Sequence, residues 1–389
     1  MIYLDYNATT PLHPKVKEKI IDFLNDYGNP SSAHETGRKV KFMVEDARES
    51  VASFLNCRPD EIIFTASGSE ANNTVIKSVG RCANSLCYSS AGKSHIISTV
   101  VEHPSVLNTL KCVENQNIDV TYVKVDAFGR VSASDVEKAI RPGVTSLIST
   151  MYANNEIGVI QPIEEISAIA QKYDIPFHTD AVQAIGKVPI DLKKLNVDYM
   201  SISGHKIYAP KGIGVLYKKK GTKALCPLIN GGHQEFSFRA GTENTIGIVA
   251  IGEAFKQLKI EMDEEIIRIK KLRDKLEAGL FKTIPNIKLN GHPTERLPGT
   301  LNISFKNIEG ESILLRLDLF GIAVSTGSAC SSGSLEPSYV VSSLGVEPEI
   351  AHSSIRFSLG RENTEEEIDQ TIEKVGEVVS FLRTMSPIK

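Results

Sequence analysis

The chain has 389 residues, of which 41% are hydrophobic and 23% are charged, as in an ordinary globular protein. Its formal net charge is -3 and the charged residues are spread along the chain, which argues against a nucleic-acid-binding protein. The N-terminus lacks a basic segment followed by an apolar one, and no apolar run approaches the ~20 residues of a membrane span, so we expect a cytoplasmic protein that binds no membrane.

Alternating apolar and amphipathic segments dominate the chain after two helical patterns at 14–27 and 37–55. From about residue 60 to residue 217, short apolar runs alternate with helical stretches. This alternation predicts an α/β fold, with a large, mostly parallel, seven-stranded sheet covered by helices on both faces. The predicted strands are 61–65, 95–100, 120–125, 145–151, 176–179, 198–202 and 213–217.

The remaining third of the chain predicts a smaller α+β unit. A long helical pattern at 248–282 precedes it, and the last helix begins with a capping box formed by Thr364 and Glu367. We therefore divide the chain into an N-terminal segment (1–15) that packs with the small domain, a large domain (16–250) that contains the seven-stranded sheet, and a small α+β domain (251–389). The strands predicted for the small domain lie near 286–290, 300–305, 322–325 and 353–357.

Polar residues follow five of the strands predicted for the large sheet. In open α/β sheets, ligands bind beyond the carboxyl ends of the strands. Each cluster alone is a weak signal, but together they predict one site along one rim. The clusters lie at 67–70, 102–103, 154–156, 178–180 and 203–206.

Lys206 follows a predicted strand and Gly204, in the sequence Ser-Gly-His-Lys. A lysine held in this way can form a Schiff base with an aldehyde cofactor, although a surface lysine is the commoner reading of a single lysine. The spacing from Ser203 to Lys206 also matches a penicillin-recognising serine nucleophile. That reading fails because the accompanying S-D-N and K-T-G motifs are absent.

Asp180 ends another predicted strand. A pyridoxal enzyme needs a carboxylate on its pyridine nitrogen, because the protonated ring accepts the charge of a carbanion. Gln183 lies close enough along the chain to reach the ring's phenolic oxygen. A metal site at His178 and Asp180 is a competing interpretation, but it lacks a third ligand at a recognisable spacing.

Gly68 and Ser69 lie between a predicted strand and a predicted helix. Such a turn offers backbone N–H groups and a hydroxyl to a phosphate, although most serine turns are simply N-caps. It is not a Walker loop, because no G-K-[ST] follows.

Cys330 is one of six cysteines, too few for a disulfide framework in a chain of this length, and no C-x-x-C pair suggests zinc. It lies in a ten-residue run of Ser, Gly, Ala and Thr at 325–334. A structural cysteine normally has apolar neighbours. This composition instead predicts an accessible loop with a reactive thiol.

With these residues in place, the sequence resembles the cysteine desulfurases of the NifS/IscS type, which are fold-type I pyridoxal-phosphate enzymes of the class-V aminotransferase family. The resemblance runs essentially end to end. Its motifs are YLDYNATTP at 3–11, GNPSS at 28–32, EHP at 102–104, NNEIG at 154–158, HTDAVQ at 178–183, SGHK at 203–206, RAGTEN at 239–244 and SAC at 328–330.

The resemblance implies pyridoxal 5'-phosphate as cofactor, L-cysteine as substrate, alanine as product and a persulfide on Cys330. It makes Lys206 the Schiff-base lysine, Asp180 the pyridinium partner and His103 a ring-stacking residue that moves protons. Arg356 corresponds to the residue that grips the substrate carboxylate, which suits the planar fork of a guanidinium.

The same resemblance assigns the remaining cofactor contacts. Gln183 and Asn154 would hold the ring and the bound amino acid. Thr242 would reach the phosphate of the other subunit's cofactor, which implies a homodimer. The phosphate would be bound by Gly68, Ser69, Ser203, Gly204 and His205, of which Ser69 replaces the threonine found in many relatives.

The sulfur acceptor is predicted to be an IscU- or NifU-like iron–sulfur scaffold or another sulfur acceptor protein, for iron–sulfur cluster assembly or other thiolation pathways. IscS-type members extend beyond the position of Lys389 into a tail that docks this scaffold. A selenocysteine lyase-type activity and a non-catalytic regulatory partner remain alternatives, and the second requires loss of Lys206, Asp180 or Cys330, all of which are present.

Overall fold

The computed structural model describes residues 1–79, 94–116, 118–223, 225–326 and 336–385. The predicted nucleophile Cys330 lies outside these residues. In chain order the strands are β1 (Ile2–Tyr3), β2 (Ile62–Thr65), β3 (Ser94–Thr99), β4 (Ile118–Val123), β5 (Thr145–Ser149), β6 (Phe177–Asp180), β7 (Tyr199–Ser203), β8 (Gly214–Lys218), β9 (Ile287–Asn290), β10 (Thr300–Phe305), β11 (Ile322–Ala323) and β12 (Ser354–Ser358).

The helices cover both faces of the large sheet and surround a small one. In chain order they are α1 (Pro14–Phe23), α2 (Glu35–Leu55), α3 (Gly68–Ser78), α4 (Pro104–Glu114), α5 (Ala133–Lys138), α6 (Ile163–Lys172), α7 (Thr245–Thr283), α8 (Gly310–Leu319), α9 (Tyr339–Ser342), α10 (Pro348–His352) and α11 (Glu365–Met385).

The large sheet has seven strands in the order β2-β8-β7-β6-β5-β3-β4. The strands from β7 to β4 pair in parallel, and β8 pairs antiparallel with both of its neighbours. The predicted mostly parallel α/β sheet is therefore confirmed, and each predicted strand agrees with the structure to within two residues.

Side chains alternate between the two faces of each strand, and on this sheet both faces are buried under helices. On β2, Phe64 packs into the apolar cluster formed with α2 and α7, whereas Ile63 packs on the opposite face against α3 and α4. This two-sided burial explains why the strands read as continuous apolar runs in the sequence.

A second, smaller sheet has the antiparallel order β12-β10-β9. The N-terminal strand β1 lies with this unit, pairing in parallel with β11, and Leu4 belongs to the same apolar cluster as Leu301 and Phe357. Helix α7 runs through position 250 without a break. The division at 15 and 250 stays a prediction: the two apolar clusters are separate, but Ile251, Ala254 and Phe255 still pack in the cluster of the large sheet.

The last helix, α11, has the predicted start. The Thr364 N–H donates to Glu367 Oε2 and the Glu367 N–H donates to Thr364 Oγ1, both at 3.3 Å. Ile368 and Val375 lie buried on its inner face. None of the helices in the described part of the chain combines the length and apolarity that a bilayer span requires.

Candidate active site

Lys206 ends a short 3₁₀ turn, Gly204–Lys206, directly after β7. Its Nζ donates to the backbone oxygens of Asn7 and Ala8, each at 2.6 Å. Only glycine fits at 204, since a Cβ there would lie 2.8 Å from Ile213 Cγ2 and 3.1 Å from Ile213 O. The turn thus directs a partly buried amine toward the N-terminal segment, unlike an ordinary surface lysine.

Asp180, at the end of β6, is linked to His103 by two intervening side chains. Asn72 Nδ2 donates to Asp180 Oδ2 at 2.7 Å and to Ser105 Oγ at 2.9 Å. Ser105 Oγ in turn lies 2.8 Å from His103 Nδ1. Asn72 is 1% exposed, so this network is shielded from water. The sequence reasoning missed Asn72 and Ser105, which carry no distinctive pattern.

His103 is the N-cap of α4, and its Nδ1 accepts the Ser105 N–H at 3.1 Å. Burial lowers the pKa of this imidazole, while the charges of Asp180 and Lys206 act on it in opposite directions. The charges of Asp180 and Lys206 therefore both influence the protonation of His103 at the rim of the sheet. With Nδ1 accepting from Ser105, Nε2 is the nitrogen that can donate a proton.

Of the predicted phosphate-binding residues, Gly68 and Ser69 begin α3, and Ser203 lies beside Gly68. Gly68 is the first residue of this helix, and a Cβ there would lie 2.6 Å from Val182 Cγ2 and 3.4 Å from Ser203 Cβ. Gly68 and Ser203 are buried side by side, whereas Ser69 is exposed. His205 lies on the far side of the turn, with Nδ1 3.2 Å from Thr9 Oγ1.

Gln183 is buried, and its amide is held at both ends. Its Nε2 donates to Asn7 O at 2.9 Å, and its Oε1 accepts from Lys187 Nζ at 2.7 Å. Lys187 Nζ also donates to Asn7 Oδ1 at 3.0 Å. Asn7 and Lys187 join the site although the sequence reasoning gave them no role. The position of Lys187, one helical turn after Gln183, was the available signal.

Arg356, on β12, is 2% exposed. Its Nη2 donates to Asp5 Oδ1 at 2.7 Å and its Nη1 donates to Asn155 O at 3.0 Å. Its Nε lies buried without a hydrogen-bond partner among the described residues. The fork therefore keeps one donor for a further acceptor.

The side chains of the neighbouring residues Asn154 and Asn155 have different partners. The amide of Asn154 is committed to the backbone, since Nδ2 donates to Val101 O while Oδ1 accepts the N–H groups of Glu156 and Ile157. Asn155, next to Arg356, has a buried Oδ1 with no partner in the described part of the chain. A ring-holding role for Asn154 stays a prediction, and Asn155 is the better placed of the two.

Thr242 is not brought to Lys206 within this chain. It is exposed in the loop before α7, where Gly241 has a φ of +102°. The loop is tied to the start of α3, because Arg239 Nε donates to Glu70 Oε1 at 3.0 Å. Thr242 therefore lies on the surface near the phosphate-binding residues.

The competing metal interpretation finds no support at His178. Its ring nitrogens lie 2.8 Å from Ser149 Oγ and 2.9 Å from Ser201 Oγ, on the neighbouring strands. Burial lowers the pKa of His178 to about 3, which keeps the ring neutral. Across the ranges that the structure describes, no three His, Cys, Asp or Glu side chains are grouped as metal ligands.

Comparisons with known proteins agree with this arrangement. A family model for class-V aminotransferases matches residues 2–371. The cysteine desulfurase IscS of Dictyoglomus turgidum is 50% identical over 389 residues, covering 100% of this chain and 97% of that protein.

Solved structures give the same family. A NifS-like protein has a TM-score of 0.90 at 39% identity, covering 98% of this chain and 100% of its own. SspA in complex with cysteine has a TM-score of 0.78 at 34% identity, covering 94% and 100%. The chain therefore belongs to the class-V aminotransferase family and, within it, to the cysteine desulfurases of the NifS/IscS type.

Proposed function

We propose that this chain removes sulfur from L-cysteine with pyridoxal 5'-phosphate as cofactor, releases alanine and leaves a persulfide on Cys330. The observation that carries the proposal is the convergence of an amine, a carboxylate and an imidazole at one rim, where the charges of Lys206 and Asp180 both act on His103. The solved relative SspA binds cysteine, which supports the choice of substrate.

The residues present fit pyridoxal phosphate on chemical grounds. Lys206 would hold its aldehyde, and the buried Asp180 carboxylate would hold the proton on its ring nitrogen. The tight packing at Gly68 and the helix N-terminus behind it suit a phosphate. When bound, the cofactor supplies an electron sink for charge that develops on the substrate Cα.

The phosphate would be bound by Gly68, Ser69, Ser203, Gly204 and His205. Thr242 would reach the phosphate bound to the partner subunit, which makes a homodimer part of the proposal. The surface position of Thr242, beside residues of the phosphate corner, supports this arrangement.

Arg356 and its neighbours would bind the amino-acid substrate. The unpaired Arg356 Nε would bind the substrate carboxylate, and the backbone oxygen of Asn155 accepts from Nη1 of the same guanidinium. A planar guanidinium holds a carboxylate through parallel hydrogen bonds, which fixes its orientation as well as its position. These contacts would orient the substrate Cα toward Lys206.

Proton transfer is assigned to two side chains. Lys206 Nζ would take the proton from the substrate Cα. His103 would exchange protons at Nε2, since its Nδ1 accepts from Ser105. The lowered pKa of His103 keeps the imidazole neutral with its proton on Nε2, so that it would act as a proton donor at that nitrogen.

Sulfur transfer is assigned to Cys330 as a thiolate that attacks the substrate sulfur. The sulfur forms a bond to Cys330 Sγ and its bond to the substrate Cβ breaks. The electron pair of that bond returns to the carbon fragment, which is protonated and leaves as alanine. Delivery to an IscU- or NifU-like scaffold in the cytoplasm completes the proposal, supported by the IscS name of the Dictyoglomus relative.

Two variants test the division of labour between lysine and cysteine. Lys206→Ala should abolish alanine formation and remove the visible absorbance of the cofactor–lysine linkage, whereas the exposed Lys193→Ala should keep both. Cys330→Ala should keep the absorbance yet show no mass increase of one sulfur atom after cysteine is added. Cys112 is an exposed free thiol and serves as the control. The Cys112→Ala variant should still gain the mass of one sulfur atom.

Each assignment has an outcome that overturns it. Full sulfide release from cysteine by Cys330→Ala would show that another nucleophile receives the sulfur. An unchanged linkage absorbance in Lys206→Ala would place the cofactor on another amine.

A further inference from the structure

A second lysine lies inside the proposed cofactor site. Lys187 Nζ is held by two amide oxygens, Gln183 Oε1 at 2.7 Å and Asn7 Oδ1 at 3.0 Å. Lys206 Nζ contacts the backbone oxygen of the same Asn7 at 2.6 Å. The two amines are thus joined through one residue.

The charges that face Lys187 are mostly positive. Burial, together with the nearby cations Lys206 and Arg356, lowers the pKa of Lys187 to about 7. The carboxylate of Asp5 is paired with Arg356 rather than with Lys187. No carboxylate forms an ion pair with Lys187 among the described residues.

The cavity behind Lys187 also contains charged groups from α7 and the chain ends. Glu261, on α7, lies 3.3 Å from His13 Nε2 and 3.2 Å from an Arg361 nitrogen, so its charge is balanced there. Glu265 lines the same cavity. These groups do not replace a direct partner for the Lys187 amine.

We propose that Lys187 is a positioning residue of the cofactor site, which fixes the amides of Gln183 and Asn7 and, when it is protonated, places a second positive charge beside Lys206. The inference rests on the proposed function. Because Lys187 occupies the Gln183 oxygen, the Gln183 NH₂ group is turned to Asn7 O and keeps one further N–H to donate. Reversing that amide would put its NH₂ group against an ammonium.

The second charge has a chemical consequence for Lys206. A neighbouring cation disfavours protonation of an amine or imine. With Lys187 charged, the nitrogen of Lys206 releases its proton at a lower pH than it would alone. This favours the neutral amine, the form that can remove a proton from the substrate.

The test compares Lys187→Met, Lys187→Gln and Lys187→Arg in the cofactor-loaded protein, with Lys193→Met as an exposed control. The readout is the apparent pKa of the cofactor–lysine linkage, measured by pH titration of its visible absorbance. Both neutral variants should raise this pKa by about one unit, and Lys187→Arg should leave it near the wild-type value. Cofactor affinity should fall by about tenfold in the neutral variants, as expected for loss of one or two hydrogen bonds.

The outcome is separable from the proposed function. If the neutral variants bind cofactor and titrate as the wild type does, Lys187 only fills space and the inference is overturned. Lys187→Gln keeps a polar side chain and supplies the measurement if Lys187→Met does not fold. Failure of the proposed function would instead appear in Lys206→Ala, as a retained linkage absorbance.

Discussion

Arg356 donates a 2.7 Å hydrogen bond to Asp5, a residue 351 positions away in the chain. The pair joins the N-terminal segment to β12 and leaves one guanidinium donor, Nε, without a partner in the described structure. A substrate carboxylate would therefore meet an arginine that is already oriented, with a carboxylate on one side of its fork.

Arg356→Gln should raise the KM for cysteine by about 10- to 100-fold, which corresponds to about 1.5–3 kcal/mol for hydrogen bonds to a charged group. The absorbance of the cofactor should stay unchanged, because Arg356 contacts substrate rather than cofactor. The double variant with Asp5→Asn removes the carboxylate that the first change leaves unpaired. An unchanged KM in the double variant would contradict the assignment.

Asp180→Asn should lower kcat by at least about 100-fold, or about 2.7 kcal/mol of barrier, because a neutral amide does not hold a proton on the ring nitrogen. Cofactor binding should persist, since Lys206 and the phosphate residues are intact. Asp191→Asn, at a surface loop, is the matched control. Steady-state rates of alanine formation check both, and a wild-type kcat for Asp180→Asn would refute the role.

Ser105→Ala should move the acid limb of the kcat/KM pH profile to higher pH. The neutral form of His103 is the active one, and its lowered pKa means that activity is lost only as the pH falls below the ordinary value of 6.5. Without the Ser105 hydroxyl, Nδ1 loses one hydrogen-bond partner and protonation becomes easier. Ser134→Ala, on α5, should leave the profile in place.

Glu102→Gln should make the folded protein less sensitive to rising pH. Burial raises the pKa of Glu102 to about 8, from 4.5, with Thr99 and the Met151 N–H bound to one oxygen. The folded state therefore holds a proton that the unfolded state releases between these values. Its stabilising contribution is complete below pH 4.5 and is lost as the pH rises toward 8.

Urea unfolding at pH 5 and pH 8 measures this effect. Between pH 4.5 and pH 8, the free energy of unfolding of the glutamine variant should rise relative to that of the wild type by up to about 1.4 kcal/mol for each pH unit. A difference that is constant between the two pH values would show that Glu102 is ionised in the folded protein. Glu137→Gln, at an exposed ion pair, provides the comparison for a surface carboxylate.

The elements that could be predicted from the sequence are those with a strong local pattern of apolar and polar residues. The buried strands β2 to β8 carry continuous apolar runs with polar ends, and this pattern located both the sheet and its functional rim. Lys206, Asp180 and His103 were found because they stand directly after such strands. The capping box of α11 was equally local.

The unpredicted part depends on contacts between distant segments. Asn72 is an ordinary helical residue until α3 packs beside β6, and Lys187 gains its role only when the N-terminal segment brings Asn7 to it. Likewise, Asn154 and Asn155 are adjacent and chemically identical, so only the backbone geometry distinguishes the side chain that is committed from the one that is not.

The pairing of β1 with β11 sets an order for biosynthesis. The residues from Asp5 to Ala8, which contact Lys206 and Arg356, are translated before β11 and Ser358. The backbone at Asp5 and Asn7 is held by Ser358, and β1, just before them, pairs with β11. The opening segment must therefore wait, unpaired, until nearly all of the chain has been translated. A nascent chain that stops before residue 358 would retain the large sheet and still lack a finished site, so cofactor capture is expected to be a late, post-translational event.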